Sequence, residues 1–394
     1  MKILQVIPYF SPAYSFGGPV RGTYLVSKEL AKRGHEVTIY TTDASDLTAR
    51  LNTESPKQID GMEVYYFRNV SMKHIKWLKL FVTPELISRA RNEIQKFDAI
   101  HLREYTTFQN IVIHHYAVKR KVSYVLQAHG SLPSNIGEKQ GLKRIYDMLF
   151  GYRILKDAAK TVVLNKAEAD QHRERGVPEE KMAVIPNGID LSEYSSLPPK
   201  ERIKERFRIP RNKKIILCLG RLHKIKGIDF LLKAQAKLSK EIGSDAILVI
   251  AGSDDGYLPE IRSLISNLGL DNEVLLTGPL YGMNKLEAYA GSEVVVLPSR
   301  YEAFPNTILE AYACSRPVIA SNVGSLSDLV LNGKTGYLFE KGSVDELSHH
   351  LEFALSNPLD VEKMGVEGRK FVETRFSIAK VVTMLEELYS TMIN

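Results

Sequence analysis

Residues 294–321 read VVVLPSRYEAFPNTILEAYACSRPVIAS. A β-branched run at 294–298 is followed by a loop and by a helical pattern that begins near Pro305 and ends at Cys314. A second apolar run follows at 317–321. A strand, a helix and a second strand in this order form a βαβ unit, whose two strands lie parallel in one sheet. The segment therefore predicts an α/β protein in which helices cover a parallel sheet.

The same alternation extends along the chain, with one interruption at Leu197-Pro198-Pro199. Repeated βαβ units predict doubly wound, Rossmann-like domains, and 394 residues are more than one such domain normally holds. We therefore predict two domains, over residues 1–195 and 196–375, with a ligand site in the central cleft that their sheets face. The predicted strands cover residues 3–7, 36–41, 99–102, 123–127, 161–164, 214–219, 246–251, 274–277, 294–298 and 317–321, and the clearest helices cover 22–32, 85–96 and 142–156.

The composition, with 44% apolar and 25% charged residues, is that of an ordinary globular protein. No apolar run reaches the roughly 18 residues of a membrane-spanning helix. The short apolar start is ended by Pro8, so it predicts a first strand rather than a signal peptide. Cys218 and Cys314 lie in apolar contexts without metal-ligand neighbours, which predicts reduced core residues of a cytosolic protein.

The net charge of +7 is concentrated in the N-terminal half, because residues 1–192 carry a net +8 and the remainder −1. Nucleic acid, an anionic membrane or a phosphorylated substrate would each suit a basic surface, and a solvated face is the simpler alternative. No nucleic-acid-reading module is recognisable, so we predict no nucleic-acid partner. Residues 72–81 and 139–156 interleave basic with large apolar residues, which suits either an anionic membrane contact or ordinary solvated helices.

Arg221 and Lys226 lie in the loop LGRLHKIKG, residues 219–227, directly after the first predicted strand of the second domain. Ligands of doubly wound sheets bind at the carboxyl ends of the strands. A guanidinium fork and an ammonium group at that edge suit a diphosphate, whose two negative charges they would balance. A solvated basic loop is the alternative.

Glu302 and Glu310 lie in PSRYEAFPNTILE, residues 298–310, after another strand of the same domain. If phosphates bind at the N-terminus of the helix that begins near Pro305, Glu310 can reach sugar hydroxyls beside them, for which carboxylates are good acceptors. Taken alone, a glutamate in an apolar helix is more simply part of an exposed face.

Two candidates lie in the first domain. Gly17 and Gly18 follow the first strand and allow a ligand to approach the backbone and the next helix N-terminus, although an ordinary βα turn has the same pattern. His129 follows the strand at 123–127, where an imidazole can bind a sugar hydroxyl. A capping or packing histidine is the simpler interpretation.

Motifs of other ligand classes are absent from the sequence. It contains no G-x-G-x-x-G fingerprint, and NGKTG at 332–336 lacks the upstream glycine of a Walker A loop. The acidic pair in SDDG at 253–256 has no metal-binding spacing, and the adjacent His114 and His115 point in different directions on a helix. We therefore predict neither a nicotinamide cofactor nor a metal site.

Together these segments resemble glycosyltransferase family four, whose members are retaining, nucleotide-sugar-dependent enzymes of the GT-B fold. The resemblance covers essentially the whole chain. It is carried by Gly17-Gly18, VIPNGID at 184–190, Gly220-Arg221 with Lys226-Gly227 and, most specifically, Glu302-x7-Glu310 followed by AYACSRPVIA at 311–320.

The resemblance implies donor-binding and catalytic roles. Arg221 and Lys226 would hold the donor diphosphate, Glu310 the ribose hydroxyls and Glu302 the transferred sugar. His129 would contact that sugar near the reacting carbon, which completes the catalytic set.

The resemblance also implies contacts made by the backbone. The phosphates and the sugar would be faced by Ala303, Phe304, Asn306 and Thr307, with Gly17 and Gly18 approaching the diphosphate. Ala303 and Pro305 stand where many relatives have glycine, and a proline has no N–H, so the hydrogen bonds to the donor would differ in detail.

The implied reaction moves a hexose-type sugar from a UDP- or GDP-linked donor to a hydroxyl of a glycan or lipid-linked sugar, as in cell-surface polysaccharide synthesis, with retention and without metal or other cofactor. The implied place is the cytoplasm, at the inner face of the membrane for a lipid-linked acceptor. A helix over residues 376–394 would pack back on the first domain. The alternatives are a same-fold synthase with a soluble acceptor, a nucleotide-sugar epimerase or an inactive scaffold.

Overall fold

The computed structural model describes residues 1–72, 81–132, 140–242 and 245–393. Its chain forms two compact units. The first comprises Met1–Gly188 and the C-terminal segment that begins at Ile378, and the second comprises Ile189–Ser377.

The chain enters the second unit a few residues before the predicted boundary at 195. The side chains of Ile189 and Tyr194 are buried in the core of the second unit. The Ile189 N–H also donates to the Phe376 carbonyl oxygen at 2.8 Å. Packing and backbone pairing therefore assign residues 189–195 to the second unit, although the sequence interruption lies after them.

The first unit is built on an eight-stranded sheet with the order β3-β4-β2-β1-β5-β6-β7-β8. Its pairs are parallel except for β3 with β4, which is a short antiparallel pair at one edge. The strands are β1 Lys2–Val6, β2 Glu36–Thr42, β3 Lys57–Ile59, β4 Met62–Phe67, β5 Ala99–Arg103, β6 Tyr124–Gln127, β7 Lys160–Val163 and β8 Met182–Val184.

Helices cover both faces of this sheet. They are α1 Gly18–Lys32, α2 Glu85–Glu93, α3 Phe108–Arg120, α4 Gln140–Tyr146, α5 Tyr152–Asp157, α6 Lys166–Glu174 and the C-terminal helix Ile378–Ile393, with a π-helical segment, Asp147–Gly151, between α4 and α5. One core lies between the sheet, α1 and the C-terminal helix. The other lies under α2, α3 and α5.

The C-terminal helix is fixed to the first unit by charge as well as by packing. Glu386 accepts from Arg33 Nη1 at 2.6 Å and lies 2.7 Å from His35 Nε2. These contacts are partly buried, so water screens them less than it screens ordinary surface ion pairs.

The second unit is built on a six-stranded sheet with the order β11-β10-β9-β12-β13-β14, and its pairs are parallel. The strands are β9 Lys214–Leu219, β10 Ala246–Ala251, β11 Val274–Gly278, β12 Val294–Leu297, β13 Val318–Ser321 and β14 Gly336–Phe339. The helices are α7 Arg202–Phe207, α8 Ile228–Ile242, α9 Leu258–Asn267, α10 Gly282–Gly291, α11 Asn306–Ala313, α12 Leu326–Leu329, α13 Val344–Ser356 and α14 Pro358–Arg375.

The order of both sheets reverses at one point, between β1 and β5 in the first unit and between β9 and β12 in the second. Loops that leave the carboxyl ends of the two strands at such a point diverge to opposite faces and open a crevice, where ligands of this fold bind. In the second unit these are the loops after β9 and β12, which carry five of the predicted site residues.

Candidate active site

A backbone hydrogen bond and an ion pair connect the loops after β9 and β12, at the point where the strand order of the second sheet reverses. The Arg300 N–H donates to the Ile225 carbonyl oxygen at 2.7 Å. The Arg300 guanidinium also forms a fork with both carboxylate oxygens of Asp229, at 2.8 and 2.7 Å. Gly227 is required between them, because its φ is +65° and an added Cβ would lie 1.9 Å from the Pro298 carbonyl oxygen. The sequence alone did not single out Arg300 or Asp229.

Lys226 and Glu302 meet across these loops. The Lys226 ammonium donates to Glu302 Oε1 at 2.5 Å, and the Ser299 hydroxyl donates to the same oxygen at 2.6 Å. Glu302 is only 8% exposed, so its charge is balanced by a lysine and a hydroxyl rather than by water. The pair holds the ammonium group at a fixed place at the carboxyl edge of the sheet.

Arg221 is half exposed and forms an ion pair with Asp255, which follows β10. The neighbouring Asp254 accepts backbone N–H bonds from Gly256, Tyr257 and Leu258 at 3.0 Å, which confirms that SDDG is the turn that leads into α9. Exposed ion pairs contribute little free energy, so Arg221 can exchange Asp255 for an anionic ligand at small cost.

Glu310 lies in the second turn of α11 and is 6% exposed, so it does not belong to an exposed helix face. Its carboxylate accepts from Lys285 Nζ at 2.6 Å and from the Tyr289 hydroxyl at 2.9 Å, both on α10. Burial is the largest cause that raises the pKa of Tyr289 well above its ordinary value, and the Glu310 charge adds to it. The phenol therefore stays a donor to Glu310.

One pocket brings several of these groups together. Arg221, Lys226, Glu302 and Thr307 all line it, beside the carboxyl ends of β9 and β12. The α11 helix begins there at Asn306 with Pro305 as its N-cap, and Pro305 supplies no side-chain cap. Helix N-termini and cations both favour anions, so the pocket is suited to phosphate groups.

Ala303 and Phe304 lie in the loop between Glu302 and α11. The Phe304 ring packs against the core of the second unit, with its centroid 5.9 Å from that of Phe376. Its side chain therefore anchors the loop, while the main chain at 303–304 leads from Glu302 to the helix start.

The remaining predicted residues lie in the first unit. Gly17 has φ +85° and precedes α1, which begins at Gly18 with a proline in its first turn. The ring of Phe16 stacks on Tyr9, with centroids 4.4 Å apart. The glycine pair thus lies beside the loop that leaves β1.

His129 follows β6 with a left-handed backbone, φ +50°, and the residue is half-buried. Its Nε2 lies 3.3 Å from Nη1 of Arg103. Burial and the neighbouring Arg103 charge lower the pKa of His129 to about 3, so the imidazole is neutral at physiological pH.

The sequence interpretation missed Glu104, which follows β5 with φ +69°. Burial raises the pKa of its carboxyl group to about 7, while hydrogen bonds with Tyr9 and Ser131 oppose that rise. Strained backbone and a shifted pKa at a strand end are typical of functional sites. The sequence feature that indicates Glu104 is its position as an acidic residue directly after a buried strand.

Both stretches that suggested a membrane contact extend beyond the described residues. Residues 73–80 and 133–139 lie outside them, which includes most of the first stretch and Lys139 of the second. Across the part of the chain that the structure describes, no helix combines the length and the apolar character needed to span a bilayer.

Two family models match this chain in sequence order. The model "Glycosyltransferase Family 4" matches residues 16–193, and the model "Glycosyl transferases group 1" matches residues 199–371. The chain belongs to glycosyltransferase family 4. It is a glycosyltransferase that uses a nucleotide sugar, and the family assignment made from the sequence is confirmed.

Relatives and solved structures agree with this family 4 assignment. The N-acetyl-alpha-D-glucosaminyl L-malate synthase of Bacillus anthracis is 26% identical, over 95% of this chain and 93% of its own. Sucrose-phosphate synthase from Thermosynechococcus elongatus superposes with a TM-score of 0.82 at 22% identity, covering 100% and 99% of the two chains. Anabaena Alr3699/HepE in complex with UDP-glucose gives a TM-score of 0.80 at 20% identity, covering 99% and 100%. These similarities confirm the predicted two-domain GT-B fold.

Proposed function

We propose that this enzyme transfers a hexose-type sugar from a nucleoside-diphosphate sugar to a hydroxyl group, with retention of anomeric configuration and without a metal ion. The observation that carries the proposal is the pocket at the switch point of the second unit. Two cations, Arg221 and Lys226, and the N-terminus of α11 meet there, and Glu310 lies one turn further along that helix. This arrangement suits a diphosphate followed by a ribose.

The chemistry follows from where charge develops. The bond between the anomeric carbon and the phosphate oxygen breaks, and its electron pair leaves with the nucleoside diphosphate. The sugar becomes oxocarbenium-like, so negative charge grows on the leaving phosphate. Cations fixed beforehand at that position lower the barrier because they need not reorganise during the reaction. Lys226 meets this requirement through its 2.5 Å contact with Glu302.

Retention requires the acceptor oxygen to bond to the face of the sugar that the phosphate leaves. We propose that a departing phosphate oxygen takes the proton of the acceptor hydroxyl on that face. His129 is neutral near pH 7, because burial lowers its pKa to about 3, and it contributes a hydrogen bond rather than a proton. Glu302 holds Lys226 with Oε1 and is proposed to bind a hydroxyl of the transferred sugar with its other oxygen.

The donor is proposed to be UDP- or GDP-linked. A similarly folded protein, Anabaena Alr3699/HepE, has been solved with UDP-glucose, which supports this class of donor. The base contacts are proposed near Thr277-Gly278-Pro279-Leu280, at the carboxyl end of β11.

The proposed acceptor is a glycan or a lipid-linked sugar, reached in the cytoplasm at the inner face of a membrane. Large apolar side chains that are 38 to 71% exposed support this: Leu142, Ile145, Met148, Leu149, Phe150 and Tyr152. Exposed cations at Arg144, Arg153 and Lys156 lie among them. Apolar side chains interleaved with cations suit an anionic bilayer surface.

A soluble anionic acceptor is the second candidate. The name of the Bacillus anthracis relative specifies L-malate, a small dicarboxylate. The net charge of +8 over residues 1–192 would suit such an acceptor as well as a membrane.

A transfer assay tests the proposal. The enzyme is given UDP-, GDP- and ADP-linked hexoses, with L-malate or with vesicles that carry a lipid-linked sugar, in the presence and absence of EDTA. We expect transfer from one donor that EDTA does not change, and a product whose anomeric proton shows the configuration of the donor. An inverted product or a requirement for metal would contradict the mechanism. Donor that is epimerised without transfer would favour an epimerase, and absence of turnover would favour an inactive scaffold.

Vesicle flotation separates the two acceptors. Binding to anionic but not to neutral vesicles, lost in a Leu149→Glu/Phe150→Glu variant, would support the membrane contact. Both residues are exposed, so the variant should fold normally. Absence of flotation, together with transfer to malate, would favour the soluble acceptor.

A further inference from the structure

A row of polar side chains crosses the otherwise apolar centre of the first sheet. Gln5 on β1 is in register with His101 on β5, and Arg103 on β5 is in register with Gln127 on β6. Residues two apart on a strand share a face, so these side chains lie on the same side of the sheet. All four are buried.

Arg103 is the centre of this row. Its Nε donates to Gln5 Oε1 at 2.8 Å, and its Nη1 donates to Gln127 Oε1 at 2.7 Å. Gln5 Nε2 in turn donates to the Tyr389 hydroxyl of the C-terminal helix at 3.2 Å. The orientation of the guanidinium is therefore set by three elements, β1, β6 and the C-terminal helix.

The same Nη1 lies 3.3 Å from Nε2 of His129. A guanidinium donates hydrogen bonds and accepts none, so Nε2 must carry a lone pair to pair with it. A neutral imidazole whose Nε2 is an acceptor has its proton on Nδ1. The geometry thus selects one of the two tautomers of His129.

We propose that Arg103 is a positioning residue that fixes His129 as the neutral tautomer with its proton on Nδ1, so that the ring offers an N–H donor to the transferred sugar. This inference deepens the proposed function, because it assumes that His129 contacts the donor sugar. Arg103 itself touches no substrate in this account.

Electrostatics explain why the arrangement holds. The described hydrogen bonds of Arg103 go to amide oxygens and to an imidazole rather than to a carboxylate. Burial lowers the pKa of Arg103 to about 10, so the group is still a cation at neutral pH. A cation beside His129 opposes a second positive charge, and burial and this cation lower the pKa of the imidazole to about 3.

The cost of burying this cation argues against a purely structural role. An unpaired charge in a sheet interior destabilises a fold, and an apolar residue of similar size often does better there. Nη2 of Arg103 is also buried without a hydrogen-bond partner among the described residues. Fixing the tautomer of His129 is the role that we assign to this buried cation.

The test is two-bond ¹H–¹⁵N NMR on the full chain with ¹⁵N-labelled histidine, because it distinguishes protonated from unprotonated ring nitrogens. A His129→Gln variant identifies the His129 signals. We expect the wild type to show the Nδ1–H tautomer from about pH 5 to pH 8. A His129 signal with the proton on Nε2, or one that titrates near the ordinary histidine pKa, would overturn the proposal without any variant.

Arg103→Met supplies the second arm. It removes the donor and the charge, so His129 should become a mixture of tautomers. His172 is the internal control, because its Nδ1 lies 2.9 Å from the Glu168 carbonyl oxygen, which fixes its proton on Nδ1 without Arg103. Its signal should not change. A His129 that keeps a single Nδ1–H form in Arg103→Met would overturn the role of Arg103.

Activity gives the last arm. If the tautomer matters for transfer, kcat/KM of Arg103→Met should fall about tenfold, the value of one hydrogen bond. The dissociation constant of the free nucleoside diphosphate should stay unchanged. A tautomer mixture with unchanged kcat/KM would overturn the role in transfer. A wild type with no transferase activity would defeat the proposed function instead, and the NMR spectra would still decide the tautomer.

Discussion

Replacing Lys226 by methionine removes one of the two cations from the proposed diphosphate site. The Lys226 ammonium is 2.5 Å from Glu302 Oε1, and its side chain is 24% exposed, whereas that of Glu302 is 9% exposed. The substitution therefore has two consequences. It withdraws a charge from the leaving phosphate, and it leaves Glu302 with Ser299 as its remaining described partner.

The two effects have different sizes. A cation about 4 Å from a phosphate, at an effective dielectric constant of about 20, interacts by about 4 kcal/mol. Losing one preorganised donor of this kind typically lowers kcat by about 10²–10³-fold, and we expect that range here. For stability, removing one partner of a fully buried pair costs about 3–5 kcal/mol. Lys226 is partly solvated, so we expect about 2 kcal/mol, which is about 4–8 °C in melting temperature.

The assay compares Lys226→Met with Lys224→Met. Lys224 lies in the same loop with an exposed side chain, so the control changes the same charge two residues away. We expect Lys224→Met to keep kcat within about threefold of the wild type and to melt normally. A Lys226→Met enzyme with nearly full kcat, or a control that loses as much activity, would refute the assignment of Lys226 to the leaving group.

Three further predictions concern the neighbouring groups. Asp255→Asn should tighten nucleoside-diphosphate binding by up to about fivefold in calorimetry. The reason is that Arg221 no longer has to leave its ion pair with Asp255, which is worth about 0–1 kcal/mol. Weaker binding would contradict the exchange of Asp255 for the ligand. Glu310→Gln should raise the KM for the donor about 10–100-fold, because the ribose hydroxyls lose a charged hydrogen-bond acceptor. An unchanged KM in steady-state kinetics would exclude the contact between Glu310 and the ribose. Glu104 has its pKa raised to about 7 by burial, so its contribution to stability is complete below the unfolded value near 4.5 and is lost as the pH rises through 7. Glu104→Gln should therefore gain stability relative to the wild type by about 3 kcal/mol between about pH 4 and pH 8 in denaturant melts, and a gap that does not widen with pH would disprove the shift.

Most of the longer strands were predicted from the sequence, although β4, Met62–Phe67, was not. Strands β9 and β10 have the predicted bounds, and α11 covers Asn306–Ala313 where a helix was expected from Pro305 to Cys314. Buried parallel strands are short β-branched runs, and a proline marks the helix start, so the local signals agree with the tertiary structure.

Short and irregular elements were not predicted. Strands β3 and β8 have three residues each and take their shape from a neighbouring strand rather than from their own residues. The π-helical segment Asp147–Gly151 interrupts the helix that was expected to run from 142 to 156. There an added Cβ on Gly151 would lie 2.2 Å from the Tyr105 hydroxyl, a tertiary contact that no local pattern records.

The proximity of Arg221, Lys226 and Glu302 was predicted from the sequence, but the pairings of the site residues were not. The sequence placed Arg221 and Lys226 after one strand and Glu302 after another, and the structure brings all three to one pocket. The contacts of Glu310 with Lys285 and Tyr289 depend on how α10 packs against α11, which spacing alone does not reveal.

The row of buried polar side chains next to His129, which is centred on Arg103, was not predicted for a different reason. Gln5, His101 and Gln127 lay inside predicted strands and Arg103 directly after one, and none of the four was given a role. Gln5 interrupts the buried run of β1, and Arg103 and Gln127 end the buried runs of β5 and β6. Polar residues at these neighbouring positions are the signal that the sequence contains.

The central claim is that the pocket beside β9 and β12 binds a nucleoside diphosphate through protein cations. A thermal-shift titration with UDP, GDP and ADP, with and without EDTA, tests it most directly. It should use the wild type, Lys226→Met and the Lys224→Met control. We predict that one nucleotide stabilises the wild type and the control, that EDTA changes neither shift, and that the shift shrinks strongly in Lys226→Met. A wild type that no nucleotide stabilises, or a shift that EDTA abolishes, would contradict the account.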